Sequence, residues 1–92
     1  TIRYMLRDHL KPDQQSGTGR GFGLGFAILR DPVMNGQIGN VGDVSWSGIA
    51  NTFFWIDLKE EMIGMAWTQL MPYGIQDFRH QIHPLVHAAL LE

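Results

Sequence analysis

The stretch VSWSGIANTFFWIDLKEEMIGMAWTQL, residues 44–70, decides the fold. Val44-Ser45-Trp46-Ser47-Gly48 and Thr52 to Leu58, with Phe53, Phe54, Trp55 and Ile56, are the β-branched and aromatic runs that suit a half-buried pleated surface. Lys59-Glu60-Glu61 between them and Met62 to Leu70 reads as a charged turn, where paired carboxylates are ordinarily solvated. With the turn-rich Gly39 to Gly42 in front, the pattern from Ile38 to Leu70 is β throughout. The expectation is a meander of antiparallel strands.

Upstream, GTGRGFGLGF at residues 17–26 places glycine at every second position, with Phe22, Leu24 and Phe26 between. In a strand that period puts side chains on one face and bare backbone on the other. A strand over Phe22 to Leu29 follows, with another element, most simply a helix, pressed on its glycine face. Asp31-Pro32 closes it, and Met34-Asn35-Gly36 reads as a turn. Thr1 to Leu10 has Ile2, Met5, Leu6 and His9 at the spacing of one helical face, and Lys11-Pro12-Asp13 ends it.

Downstream, Met71-Pro72-Tyr73-Gly74 breaks the sheet pattern. Phe78, Ile82, Leu85, Val86, Ala89 and Leu90 then fall on one helical stripe, with Asp77 as N-cap. Pro84 must either kink this helix or lie in its first turn. The fold class is therefore α+β, a single partial domain over residues 1–92. An antiparallel sheet of about three to five strands carries the terminal helix, with the opening helix, on one face.

Composition narrows the function. At 92 residues the chain buries only about 60–65% of its unfolded surface. Yet 45% of its residues are hydrophobic, including three Trp, five Phe and five Met. That is more apolar surface than so small a body buries alone, which calls for a partner or a larger parent. A net charge of −2 with no basic cluster offers no nucleic-acid face. No apolar run reaches the roughly 20 residues of a membrane span, and with no cysteine there are no thiolate metal ligands.

Local motifs add little by themselves. The glycines at 17–25 alternate along a strand instead of turning into a helix, and no Gly-Lys-Ser/Thr follows, so they are not a phosphate loop. His80, His83 and His87 stand at i, i+3, i+7, a spacing that can hold zinc. No carboxylate joins them before Glu92 and Pro84 disturbs the helix, so the expectation is solvated or capping histidines and no metal or cofactor. None of Ser16, Ser45 and Ser47 heads a nucleophile elbow or has a lysine three residues on.

Three segments in succession resemble the C-terminal part of the serine hydrolases of the β-lactamase and penicillin-binding-protein superfamily. Met5-Leu6-Arg7-Asp8-His9-Leu10, followed by Gly19 and Gly21-Phe22-Gly23-Leu24-Gly25-Phe26, looks like the region before the last sheet strands. Gly42-Asp43-Val44-Ser45-Trp46-Ser47-Gly48 resembles the third active-site motif, Lys-Thr-Gly in many β-lactamases and Trp-x-Gly in the esterase branch. Thr52 to Leu58 and Met62 to Met71 look like the hairpin that follows, and Val86-His87-Ala88-Ala89-Leu90 is similar to the closing helix.

The resemblance implies an active-site edge at Trp46, Ser47 and Gly48, with the Ile49 amide in the oxyanion hole. Trp46 in place of Lys implies a neutral ester substrate, with a β-lactam or a transpeptidase reaction as alternatives, and Gly48 would let substrate lie against backbone. The family's Ser-x-x-Lys and Tyr-x-Asn (or Tyr-x-Ser) motifs are absent. The resemblance therefore implies a fragment, inert alone, whose partner is the upstream part of the same hydrolase. The rival expectation is a self-standing, non-enzymatic β-rich interaction module.

Overall fold

The computed structural model describes residues 1–71 and 78–90. Its elements are α1 (Ile2–Met5), β1 (Arg20–Phe22), β2 (Ala27–Leu29), α2 (Pro32–Asn35), β3 (Val44–Ser47), β4 (Phe53–Asp57), β5 (Met62–Ala66) and α3 (Phe78–Ala89). The strands form one antiparallel sheet in chain order, β1-β2-β3-β4-β5. The meander and the α+β class are as the sequence pattern requires.

Register sorts the side chains into two faces. Ser45 lies opposite Trp55 and Asp57 opposite Met62, while Trp46 lies opposite Phe54 and Phe54 opposite Met65. Helix α3 covers the first face: the Arg79 guanidinium donates to Ser45 Oγ at 2.9 Å, and the His83 ring centroid is 4.3 Å from that of Trp55. The buried apolar core is Ala27, Ile28, Leu29, Val44, Phe53 and Trp55. On the second face Trp46, Ile63 and Met65 stay more than half exposed, and Trp67 beyond β5 is 82% exposed.

Four expectations need correction. The single strand over Phe22 to Leu29 is a hairpin, because Gly25 has φ +115° and the Gly23 N–H donates to the Phe26 carbonyl at 2.8 Å. Glycine at every second position serves a turn as readily as a strand. The opening helix ends at Met5, because the chain beyond it pairs with β1 instead. His9 N–H donates to the Phe22 carbonyl at 2.8 Å and Leu24 N–H to the Met5 carbonyl at 2.9 Å.

This segment is what presses on the glycine face. A Cβ at Gly21 would strike the Asp8 carboxylate, and one at Gly23 the Met5 carbonyl. Gly21 faces the same way as its partner Ile28 and hence Val44, on the side away from Ser45. The opening segment and α3 therefore lie on opposite faces, not on one. Finally, Met34-Asn35-Gly36 belongs to the short helix α2, capped by Asp31 accepting from the Val33 and Met34 amides and ended by left-handed Gly36.

The β4–β5 turn at Lys59-Glu60-Glu61 is as expected, with Asp57 Oδ1 accepting from the Lys59 and Glu60 amides at 3.1 and 2.9 Å. Helix α3 runs through Pro84. Its predicted apolar stripe is turned partly outward: Leu85 is 71% exposed, while His83 is buried. Apart from Met71, the expected break at Met71-Pro72-Tyr73-Gly74 lies outside the described residues, as does the Asp77 cap. Among the described residues no helix is long and apolar enough to cross a membrane.

Candidate functional site

Strand β3 runs past its neighbour on one side only. All four of its residues pair with β4, whereas β2 pairs only with Val44 and Ser45. Trp46 and Ser47 thus extend beyond the β2 register. Beside them lies an apolar cleft of about 240 Å³, lined by Trp46, Ser47, Gly48, Phe54, Met65 and Trp67 among others. The Trp46 ring stands edge-on to Phe22, centroids 5.5 Å apart.

Of the residues singled out from the sequence, Trp46 and Ser47 are extended and Gly48 leaves the strand. Ile49 is not on the strand. It sits, exposed, in a turn where Asn51 N–H donates to the Gly48 carbonyl at 3.1 Å and Gly48 N–H to the Thr52 carbonyl at 2.8 Å. Gly48 also has a structural reason to be glycine, since a Cβ there would come within 2.7 Å of Thr52 Oγ1. The segment after β5 holds the turn in place through Leu70 N–H to the Ala50 carbonyl at 3.1 Å and Asn51 Nδ2 to the Leu70 carbonyl.

The serines divide by environment. Ser45 is buried and accepts from Arg79, and Ser16 Oγ donates to the Gly21 carbonyl at 2.8 Å. Only Ser47 reaches the cleft. The chain's two lysines, Lys11 and Lys59, lie in the loop after α1 and in the β4–β5 turn.

A second constellation lies under α3. His83 and His87 are four residues apart and so share one helical face, their ring centroids 4.7 Å apart. That face meets Asp43, just before β3, and Asp57, at the end of β4. His87 Nε2 is 3.9 Å from Asp57 Oδ2. Asn40 ties the two carboxylates together: its N–H donates to Asp43 Oδ2 at 3.0 Å and its Nδ2 to Asp57 Oδ2 at 2.9 Å. Asp57 is fully buried, Asp43 and His83 nearly so.

Burial sets the protonation states here. Desolvation, reinforced by the neighbouring Asp57, pushes Asp43 up to about 6. Desolvation, with His87 and Arg79 close by, pushes His83 down to about 4. The expectation of solvated or capping histidines holds for exposed His80 alone. The carboxylates that join the other two come from the sheet, so no count along the helix could find them.

No protein-family model and no curated protein matches the chain. Among solved structures it is similar to one described as "EstCE1, a hydrolase with promiscuous acyltransferase activity", with a TM-score of 0.79 and 23% sequence identity. The likeness covers 91% of this chain and 23% of that one, so the chain spans less than a quarter of its neighbour's length. At that identity the likeness carries the fold: this sheet and its helices have the architecture of one portion of a hydrolase.

Proposed function

We propose that this chain is the C-terminal part of a β-lactamase-like serine hydrolase of the esterase branch. Its share of the site is the border Trp46-Ser47-Gly48 with the Ile49 amide, and the upstream part of the same protein supplies the nucleophile. The observation that carries the reading is the apolar cleft that Trp46, Ser47 and Gly48 line together with residues of β4 and β5. The motif resemblance falls on those same residues, and the fold likeness to a portion of a hydrolase supports it.

An upstream serine attacks an ester carbonyl and the alcohol leaves, giving an acyl-enzyme that water then hydrolyses. The Ile49 N–H, fixed by the turn, donates to the oxyanion as charge develops. A pre-organised donor of this kind is worth about 3–4 kcal/mol. A cleft walled by Trp46, Phe54, Met65 and Trp67 selects an apolar acyl or alcohol group over a charged one. Acyltransferase activity, which the solved neighbour's description includes, is the same second step with an alcohol in place of water.

A p-nitrophenyl acyl ester tests this. The chain alone gives no turnover, and the chain joined to its upstream region does. An upstream region that carries no Ser-x-x-Lys, or a joined protein that is inactive, contradicts the reading. The same exposed face, Ile63, Met65 and Trp67, would equally serve the rival interaction module. A chain that stays a stable monomer, with an inactive joined form, would favour that module.

A further inference from the structure

The constellation under α3 takes no part in the acyl transfer proposed above, and three of its polar atoms lack a hydrogen-bond partner. Asp43 Oδ1, His83 Nε2 and His87 Nε2 are all buried without a hydrogen bond. Buried polar atoms are almost always satisfied, so three orphaned ones in one place need an account. One donor atom from each of Asp43, His83 and His87 falls within 4.8 Å of the others. A small cavity of about 20 Å³ opens against Asp43 and His83.

We propose that Asp43, His83 and His87 form a buried site for a divalent transition-metal ion of the zinc class, clamping helix α3 to the sheet. Two imidazole nitrogens and one carboxylate oxygen are a donor set that zinc accepts, with a fourth position left for water or Asp57. Softer, thiolate-seeking ions are poorly served, and calcium or magnesium would want more oxygen. The i, i+4 spacing presents both imidazoles from consecutive turns. The supporting contacts are also those a metal site uses: Asn40 N–H fixes Asp43 through its other oxygen, Oδ2, and Asp57 adds a second buried carboxylate. The nearby cation Arg79 is engaged with Ser45 Oγ.

The test is titration of the full chain with Co²⁺, whose visible absorption reports four-coordinate nitrogen and oxygen ligation, followed by displacement with Zn²⁺. One ion binds per chain. His83→Gln, His87→Gln and Asp43→Asn each weaken binding by at least about tenfold, while His80→Gln leaves it unchanged. In parallel, Zn²⁺ added to the unaltered chain shifts the ring resonances of His83 and His87 and not those of His9 or His80, a readout that needs no variant to fold. Absence of one-to-one binding, or resonance shifts confined to His9 or His80, overturns the site.

Discussion

The Trp55 indole of β4 lies against Gly64, its cross-strand partner on β5, so close that a Cβ at position 64 would strike the ring. Trp55 is itself buried and stacks with Phe53, centroids 6.0 Å apart, at the centre of the face that α3 covers. The bare backbone of half-buried Gly64 thus packs directly on a core residue, although it belongs to an edge strand.

Gly64→Ala should therefore destabilise the chain by about 1–3 kcal/mol, the cost of overpacking a filled site. Urea unfolding measures it. A midpoint equal to that of the unaltered chain would mean that the indole moves aside freely.

The Asp8–Arg30 pair fixes the opening segment to the end of β2. Arg30 Nε donates to Asp8 Oδ2 at 2.8 Å, and the Leu10 and Phe22 amides donate to Asp8 Oδ1 at 3.1 and 3.2 Å. Partial desolvation works against the carboxylate, but Arg30 and the two amides together hold its pKa below the ordinary 3.8. A depressed pKa stabilises the fold fully above the unfolded value, and that stability is lost as pH falls through the folded one. Asp8→Asn should lower stability at neutral pH and flatten its acid limb. Parallel acid-unfolding curves for the two proteins would show that the pair contributes nothing.

Gly48 and Thr52 are coupled through the turn between β3 and β4. Gly48→Ala drives a methyl onto Thr52 Oγ1, and Thr52→Ala removes the obstacle. The double variant should be more stable than the sum of the single losses predicts, by about 0.5–3 kcal/mol. Strict additivity in thermal unfolding would place the strain elsewhere.

The exposed second face should behave as a surface awaiting cover. Trp67→Ser and Met65→Lys should each change the stability of the isolated chain by no more than about 0.5 kcal/mol. Both should reduce its self-association in sedimentation velocity, because such patches drive association. A large stability loss would show that the two side chains already belong to the core.

The sheet from β3 to β5 was legible because its aromatic and β-branched runs are set apart by turn residues, and in β4 Phe53, Trp55 and Asp57 are buried while Phe54 and Ile56 are half-buried. The β1–β2 hairpin was not. Alternating glycines give no hint of which one turns, and only the φ of Gly25 decides it. Helix α1 was overread because the periodicity of Ile2, Met5, Leu6 and His9 is silent about backbone pairing with β1. The buried histidines were hidden by the apolar stripe of α3, since the face that the helix turns to the sheet meets Ser45 and Trp55, far away in sequence. The cleft residues Trp46, Ser47 and Gly48 were found as a motif, but that Ile49 lies in a turn was not readable from it.

That turn allows the most direct measurement. Ile49 is the second residue of the turn closed by Asn51 N–H to the Gly48 carbonyl, a position that accepts proline. Ile49→Pro removes the amide donor while keeping the turn, and Ile49→Ala keeps both. With the upstream region joined, kcat for a p-nitrophenyl ester should fall by about 10²–10³-fold in Ile49→Pro, with KM little changed, and hold in Ile49→Ala. Equal turnover in the two variants would contradict the assignment of this backbone to the reaction centre.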